Sequence, residues 1–231
     1  ADGLPWNDVG LMAPCKRSEV EDGTIRIVRA GDNTLHPVEA KYLRPELHSL
    51  MEVDRPVIRA KDIDRVALWV SEPLADLAGT CVAKYIRWGA KQTFASKKSK
   101  AVPVPQRSTC ASRPVWYDQT TDDVGVVFWP KTQKYRHIVP VNPESLVCNC
   151  NLYTVVPQSM SRQERDALAA ILNSTLVGFM KCFYGRYVGA EGTLKTEIVD
   201  MVLLEVPYPS GISPKVAERM CAALEKMSER K

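Results

Sequence analysis

Between Gly23 and Ala30 the chain alternates apolar and charged side chains (Ile25, Arg26, Ile27, Arg29), the period-two signature of a half-buried strand. Val66, Leu68 and Val70 repeat that period over 64–70 and predict a second strand. Ser71 then reads as the cap of a helix beginning near Pro73. Its apolar stripe of Leu74, Leu77, Cys81, Tyr85 and Trp88 advances by threes and fours to a stop at Gly89. Residues 90–113 keep neither period. Lysine, serine and proline dominate them, as in Ser96-Lys97-Lys98-Ser99-Lys100 and Pro103-Val104-Pro105, and they predict a long loop of the kind that carries function or stays disordered.

The β-prone runs Val124–Trp129 and Tyr135–Val141 flank Pro130-Lys131-Thr132-Gln133-Lys134 and predict a hairpin with a basic tip. A strand is expected over 151–156. Ser161-Arg162-Gln163-Glu164 is a capping box opening one continuous helix, with Leu168, Leu172, Leu176, Phe179 and Phe183 on its inner face and Gly185 as its stop. Cys182 reads as a buried thiol of that helix. A loop over 187–193, a short helix over 197–201 and a strand over 203–206 follow. Ser213-Pro214 starts a terminal helix with Val216, Met220, Leu224 and Met227 inward. The sum is an α+β fold of mostly antiparallel sheet elements with packed helices. It is read as one domain over 1–231, with sub-lobes 1–157 (basic, β-rich) and 158–231 (helical).

Composition narrows the class. Apolar residues make up 45% and charged residues 25% of 231, ordinary values for a soluble globular domain. A chain of this size buries roughly 70–75% of its unfolded surface. No apolar run approaches the ~18 residues of a membrane span. The start, Ala1-Asp2-Gly3-Leu4-Pro5-Trp6, lacks the signal-peptide pattern, and its lack of an initiator methionine reads as a fragment of a larger protein. Seven irregularly spaced cysteines fit reduced thiols and a cytoplasmic location better than a disulfide framework. Cys148-Asn149-Cys150 has no second close pair, and His36, His48 and His137 are dispersed, so no metal site is expected.

Charge changes the picture more. Residues 77–117 hold eight Lys/Arg and no Asp/Glu. Residues 77–143 hold eleven against three, or +8, while the remaining chain carries −4. Positive charge gathered this way points to a polyanion. Glycine-rich phosphate loops, a Gly-x-Ser-x-Gly elbow and His-Glu-x-x-His are absent, and no catalytic residue is assigned. A stand-alone hydrolase or nuclease is therefore the weakest reading.

In the C-terminal half, Asn151-Leu152-Tyr153 followed by Leu168-Ala169-Ala170-Ile171-Leu172-Asn173-Ser174-Thr175-Leu176 resembles the N-x-Y … A-x-L-N-S-x-L segment of TaqI-like specificity domains. These are the C-terminal target-recognition domains of adenine DNA methyltransferases and fused restriction-modification enzymes. Gly189-Ala190-Glu191-Gly192-Thr193-Leu194-Lys195 is similar to that family's Gly-x-x-Gly-x-Leu-Lys turn, and Leu204-Glu205-Val206-Pro207-Tyr208-Pro209 to its l-x-x-l-P-v-P strand. Upstream, Tyr42-Leu43-Arg44-Pro45-Glu46-Leu47 and Arg113-Pro114-Val115-Trp116-Tyr117-Asp118 resemble two further family segments. These stretches cover most of residues 40–210 in the family's order; the first 20 residues depart from it.

The resemblance implies a domain that reads double-stranded DNA and takes no part in methyl transfer itself. The S-adenosylmethionine site and the catalytic motif then belong to an upstream methyltransferase domain. Under this reading Lys91, Lys97, Lys98 and Lys100 meet phosphates, and Arg107 and Arg113 are further expected DNA contacts. Lys131, Gln133, Lys134, Arg136 and His137 are the expected base readers, because a two-stranded ribbon fits the major groove. Arg186, Tyr187 and Lys195 flank the glycine turn and suit phosphate or catalytic-domain docking. The alternative is a protein- or RNA-binding interaction domain of a larger assembly.

Overall fold

The computed structural model describes residues 15–96, 99–121, 123–134, 136–188 and 192–229. The chain divides into two compact units, residues 1–44 with 67–121, and residues 45–66 with 122–231.

In the first unit, a short helix α1 (Arg17–Glu21) leads into β1 (Ile25–Arg29), which pairs antiparallel with β2 (Leu35–Glu39) from Ile25↔Glu39 to Arg29↔Leu35. Asp32 orders the turn, accepting from the backbone N–H and the hydroxyl of Thr34. The chain leaves this unit within β3 (Leu43–Leu47) and returns within β4 (Val66–Leu68).

Helix α2 (Cys81–Lys91) starts about two turns later than its apolar stripe predicts. Residues 71–80 form turns, and Gly79 takes φ +82°, a conformation that interrupts a helix. The cap is Thr80, whose hydroxyl accepts from Ala83 N–H at 3.1 Å, and not Ser71. Glu39 supplies the rest of the N-terminus: its two carboxylate oxygens accept from Cys81 N–H (2.8 Å) and Val82 N–H (2.9 Å). Three first-turn donors are thereby satisfied, with a negative charge at the positive end of the helix dipole. Glu39→Ala is expected to cost about 1–3 kcal/mol, because two buried donors lose a charged acceptor. A urea midpoint unchanged from the native chain would contradict this.

Residues 90–113 are not a structureless loop. They contain β5 (Thr93–Ser96) and β6 (Ser99–Pro103), an antiparallel pair that sets Phe94 opposite Val102 and is bulged between Phe94 and Ser96. A 3-10 turn over 104–106 and the four-residue α3 (Ser108–Ala111) follow. Local β-propensity and ladder pairing outweigh the lysine- and serine-rich composition here. Tyr117 is buried and donates its hydroxyl to Glu72 O at 2.8 Å.

The second unit holds β7 (Val127–Pro130), β8 (Thr132–Gln133), β9 (Val147–Cys148) and β10 (Leu152–Val155), then α4 (Arg162–Leu172), α5 (Thr175–Tyr184), β11 (Arg186–Val188), β12 (Thr193–Lys195), α6 (Ile198–Met201) and α7 (Pro214–Glu229). β7 pairs antiparallel with β10, Val127↔Val155 to Pro130↔Leu152. β9 runs parallel to the second half of β3. The predicted 124–141 hairpin is corrected: its arms meet only at their base, through the Val127↔Val141 bridge, while its tip departs and β8 pairs with β12. Residues 187–193 are likewise not a plain loop, since β11 pairs antiparallel with β12. No strand forms at 203–206.

All four residues of β7 are buried, and the first three alternate between two cores. Val127 and Trp129 join Val139, Val141, Leu168, Leu172 and Leu224, while Phe128 joins Leu47, Ile58, Ile138 and Leu152. α7 packs on α4 through Ala217 and Leu224; Val216 and Met227, expected inward, are exposed.

The helix opened by the Ser161 box ends at Leu172, and Ser174 caps a second helix bent by 60° from the first. Asn173 fastens the break. Its Nδ2 donates to Val139 O and Ala169 O, both at 2.7 Å, and its Oδ1 accepts from Val139 N–H at 2.9 Å. The bend turns the predicted stripe outward: Leu168 and Leu172 stay buried, but Leu176, Phe179 and Phe183 are 66%, 60% and 69% exposed. Cys182 is also exposed, contrary to its sequence reading. Among the described residues no single helix is long and apolar enough to cross a membrane, although α4 and α5 pass that test as a bent pair.

Candidate nucleic-acid interface

Strands β11, β12 and β8 form one antiparallel sheet in the second unit, and its register gathers several predicted contact residues. Arg186 stands opposite Lys195, and Lys195 opposite Thr132; the next row is Tyr187, Leu194 and Gln133. Side chains alternate across a sheet. Leu194 is buried and Gln133 reaches the core, so the Arg186–Lys195–Thr132 row belongs to the opposite face. Lys131, just before β8, lies with its ammonium 4.4 Å from the ring centre of Tyr153.

This row carries counter-charges. Lys195 Nζ meets Glu197 Oε1 at 2.5 Å, Tyr153 donates its hydroxyl to Glu197 Oε2 at 2.5 Å, and Arg186 Nη2 donates to Asp200 Oδ2 at 3.1 Å. The hydrogen bonds from Lys195 and then Tyr153 hold the Glu197 carboxyl down to about 2. Asp200 is lowered too, first by the Glu197 N–H and then by Arg186. Both carboxylates are therefore ionised at neutral pH. Arg186 and Lys195, the two cations of this row, each face a carboxylate, so most of their charge is compensated. Tyr187 is exposed at the sheet edge.

Lys134 and Arg136 lie beside the same sheet, at a cavity that Thr132 and Thr193 also line. With Gln133 they line this cavity of about 480 Å³, whose walls include Leu50, Pro130, Ile138 and Leu152. Arg136 is anchored through Nη2, which donates to Leu50 O at 2.7 Å and to Val53 O. Its holders are neutral carbonyls, so the hydrogen bonds fix the guanidinium without cancelling its charge.

Gln133 and His137 face inward. Gln133 Oε1 accepts from Lys181 Nζ at 2.6 Å, and that ammonium lies 4.5 Å from the centre of the Trp129 ring. Trp129 Nε1 in turn donates to Thr196 Oγ1 at 2.9 Å. His137 Nε2 lies 2.6 Å from Leu172 O, which can only accept, so the proton sits on Nε2. Burial is the main cause lowering the pKa of His137, and the nearby Lys181 adds to it, so the ring is neutral at pH 7. Its Nδ1 then presents a lone pair to Gln133 Oε1 at 3.3 Å, which is a contact and not a hydrogen bond. Lys181, which the sequence reading did not single out, is 0% exposed, and burial pushes its amine down to about 7. The available signal was one lysine inside an otherwise apolar stretch, Val177-Gly178-Phe179-Met180-Lys181.

In the first unit, Lys91 is exposed at the C-terminal turn of α2, Lys100 lies on β6, Arg107 precedes α3, and Arg113 is exposed after it. Lys97 and Lys98 lie outside the described residues, as do Gly189, Ala190 and Glu191 of the glycine turn. Among the described residues no group of three or more His, Cys, Asp or Glu side chains is placed to hold a metal ion.

No protein-family model and no curated protein matches the chain. Among solved structures, the type IIG restriction endonuclease BpuSI is similar over 98% of this chain, with a TM-score of 0.55 and 14% identity. The chain spans 24% of that protein's length. The likeness is one of fold.

Proposed function

We propose that this chain recognises double-stranded DNA as the specificity domain of a larger S-adenosylmethionine-dependent adenine methyltransferase or restriction-modification enzyme. The observation that carries the reading is the match of nearly the whole chain to about a quarter of a restriction endonuclease. It agrees with the order of the TaqI-like motifs and with the cationic middle third. The parent's methyl transfer and cofactor would lie with another domain, and this chain would contribute the grip on the duplex.

Lys91 and Arg113, exposed and basic, suit phosphates, which set register without reading sequence. Arg136, anchored on the Leu50 and Val53 carbonyls with its charge uncancelled, suits a phosphate as well. Glu197 and Asp200 tie up Lys195 and Arg186, so phosphates compete with carboxylates for that row. An electrophoretic comparison of duplex DNA, RNA and heparin tests the reading. Duplex DNA should bind tightest, and equal or tighter binding of heparin would refute it.

The exposed Leu176, Phe179 and Phe183 favour a second reading, contact with another protein domain, because monomers rarely expose a contiguous apolar face of this kind. Charged substitutions there that weaken DNA binding by the full parent, but not by this chain, would support it.

A further inference from the structure

The cavity beside β8 has two features that a bare DNA-contact surface does not need. It is concave, and its apolar walls meet cationic residues. Its volume, about 480 Å³, falls within the roughly 300–1,000 Å³ of small-ligand sites. Leu50, Pro130, Ile138 and Leu152 offer apolar contact, while Thr132, Thr193 and Asn151 bring groups that donate and accept hydrogen bonds. The Gln133 carbonyl oxygen is committed to Lys181, so a Gln133 contact with a ligand comes from its amide nitrogen, a donor. Lys134 and Arg136 add positive charge to the lining, and Arg136 is fixed in place by the Leu50 and Val53 carbonyls.

A ligand complementary to all of these has a largely apolar body with a hydrogen-bonding edge and an attached anion. Resting on the nucleic-acid reading above, we infer that this cavity binds a single unstacked nucleotide, its base between the apolar walls and its phosphate at Arg136. Taking a base out of the stack costs a few kcal/mol, least where the base is already unpaired. The nucleotide can come from two sources, an extrahelical position of bound DNA or a free mononucleotide.

The test measures the affinity of the 231-residue chain for a duplex with one extrahelical nucleotide and for its fully paired parent. Saturation-transfer NMR with free deoxynucleoside 5′-monophosphates forms a parallel arm. The bulged duplex should bind at least tenfold tighter than the paired one. Thr193→Phe and Thr132→Phe obstruct the cavity from two strands, and each should bring the ratio close to one. Equal affinity for bulged and paired duplexes, with no monophosphate signal, overturns the inference while duplex recognition stands. A preference that survives both variants also overturns it, by locating the nucleotide elsewhere. A monophosphate signal lost in both variants, without any duplex binding, keeps the cavity as a mononucleotide site and refutes the proposed function. No binding in either arm refutes both.

Discussion

Lys181→Met is expected to stabilise the folded chain at pH 7 and to lose about 2 kcal/mol of that advantage by pH 8.5, since each unit of pKa shift corresponds to about 1.4 kcal/mol. Lys181 is fully buried, and its neighbours are an amide oxygen and an indole face, neither of which is an anion. Burial lowers its amine to about 7. The unfolded amine holds its proton until about pH 10.4. Between those values the unfolded chain binds more protons than the folded one, so native stability rises with pH. Below about pH 7 both states are protonated, and the whole penalty for the buried charge is present. Methionine fills similar volume without that penalty, although it leaves the Gln133 oxygen without its donor. Burial lowers His137 from its ordinary value, so it titrates below this window. Denaturant titrations of both at pH 7 and 8.5 read the gap. A gap independent of pH would mean that Lys181 keeps an ordinary pKa and that its burial is compensated in some other way.

Gly125→Ala should cost about 3 kcal/mol or more, the upper end of what overpacking does in a filled core. A β-carbon on residue 125 would lie 2.3 Å from Thr154 Cβ and 3.0 Å from Thr154 Cα. The backbone has no room to yield. Val126 N–H donates to Val155 O on one side, and Gly125 O accepts from the buried Asn142 amide on the other. The strain should fall on the β7–β10 ladder, which separates the two cores. Thr154→Gly removes the nearest atoms, so the double variant should recover most of the loss that Gly125→Ala causes alone. A double-variant loss equal to the sum of the two single losses would show that the contact is not the cause.

Where a pattern depended on neighbours in sequence, the chain could be read directly. The alternation at Ile25–Arg29, the Ser161–Glu164 capping box and the Pro214 helix start all correspond to observed elements, because each is decided within one turn or one strand. The local pattern does not carry those features that a distant residue decides. Glu39 lies 42 positions before Cys81, so the true start of α2 is set from another strand. Asn173, recognised as part of a motif, breaks the long helix by bonding to Val139, and the outward turn of Phe179 and Phe183 follows from that bond.

The candidate site follows the same division. Lysine and arginine clusters are visible in composition, but their counter-ions Glu197 and Asp200 join them only through sheet register and the turn after β12. The sequence pattern places Gln133 and His137 at or near a hairpin tip. The pairing of β8 with β12 turns Gln133 towards Lys181, and His137 bonds the end of α4.

The claim that this chain holds a duplex mainly through phosphate neutralisation is tested most directly by its affinity for duplex DNA across a series of salt concentrations. With ~5–7 phosphates engaged, log K should fall linearly against log salt with a slope of roughly −5 to −6. A slope near zero, or no measurable duplex binding at low salt, would contradict it.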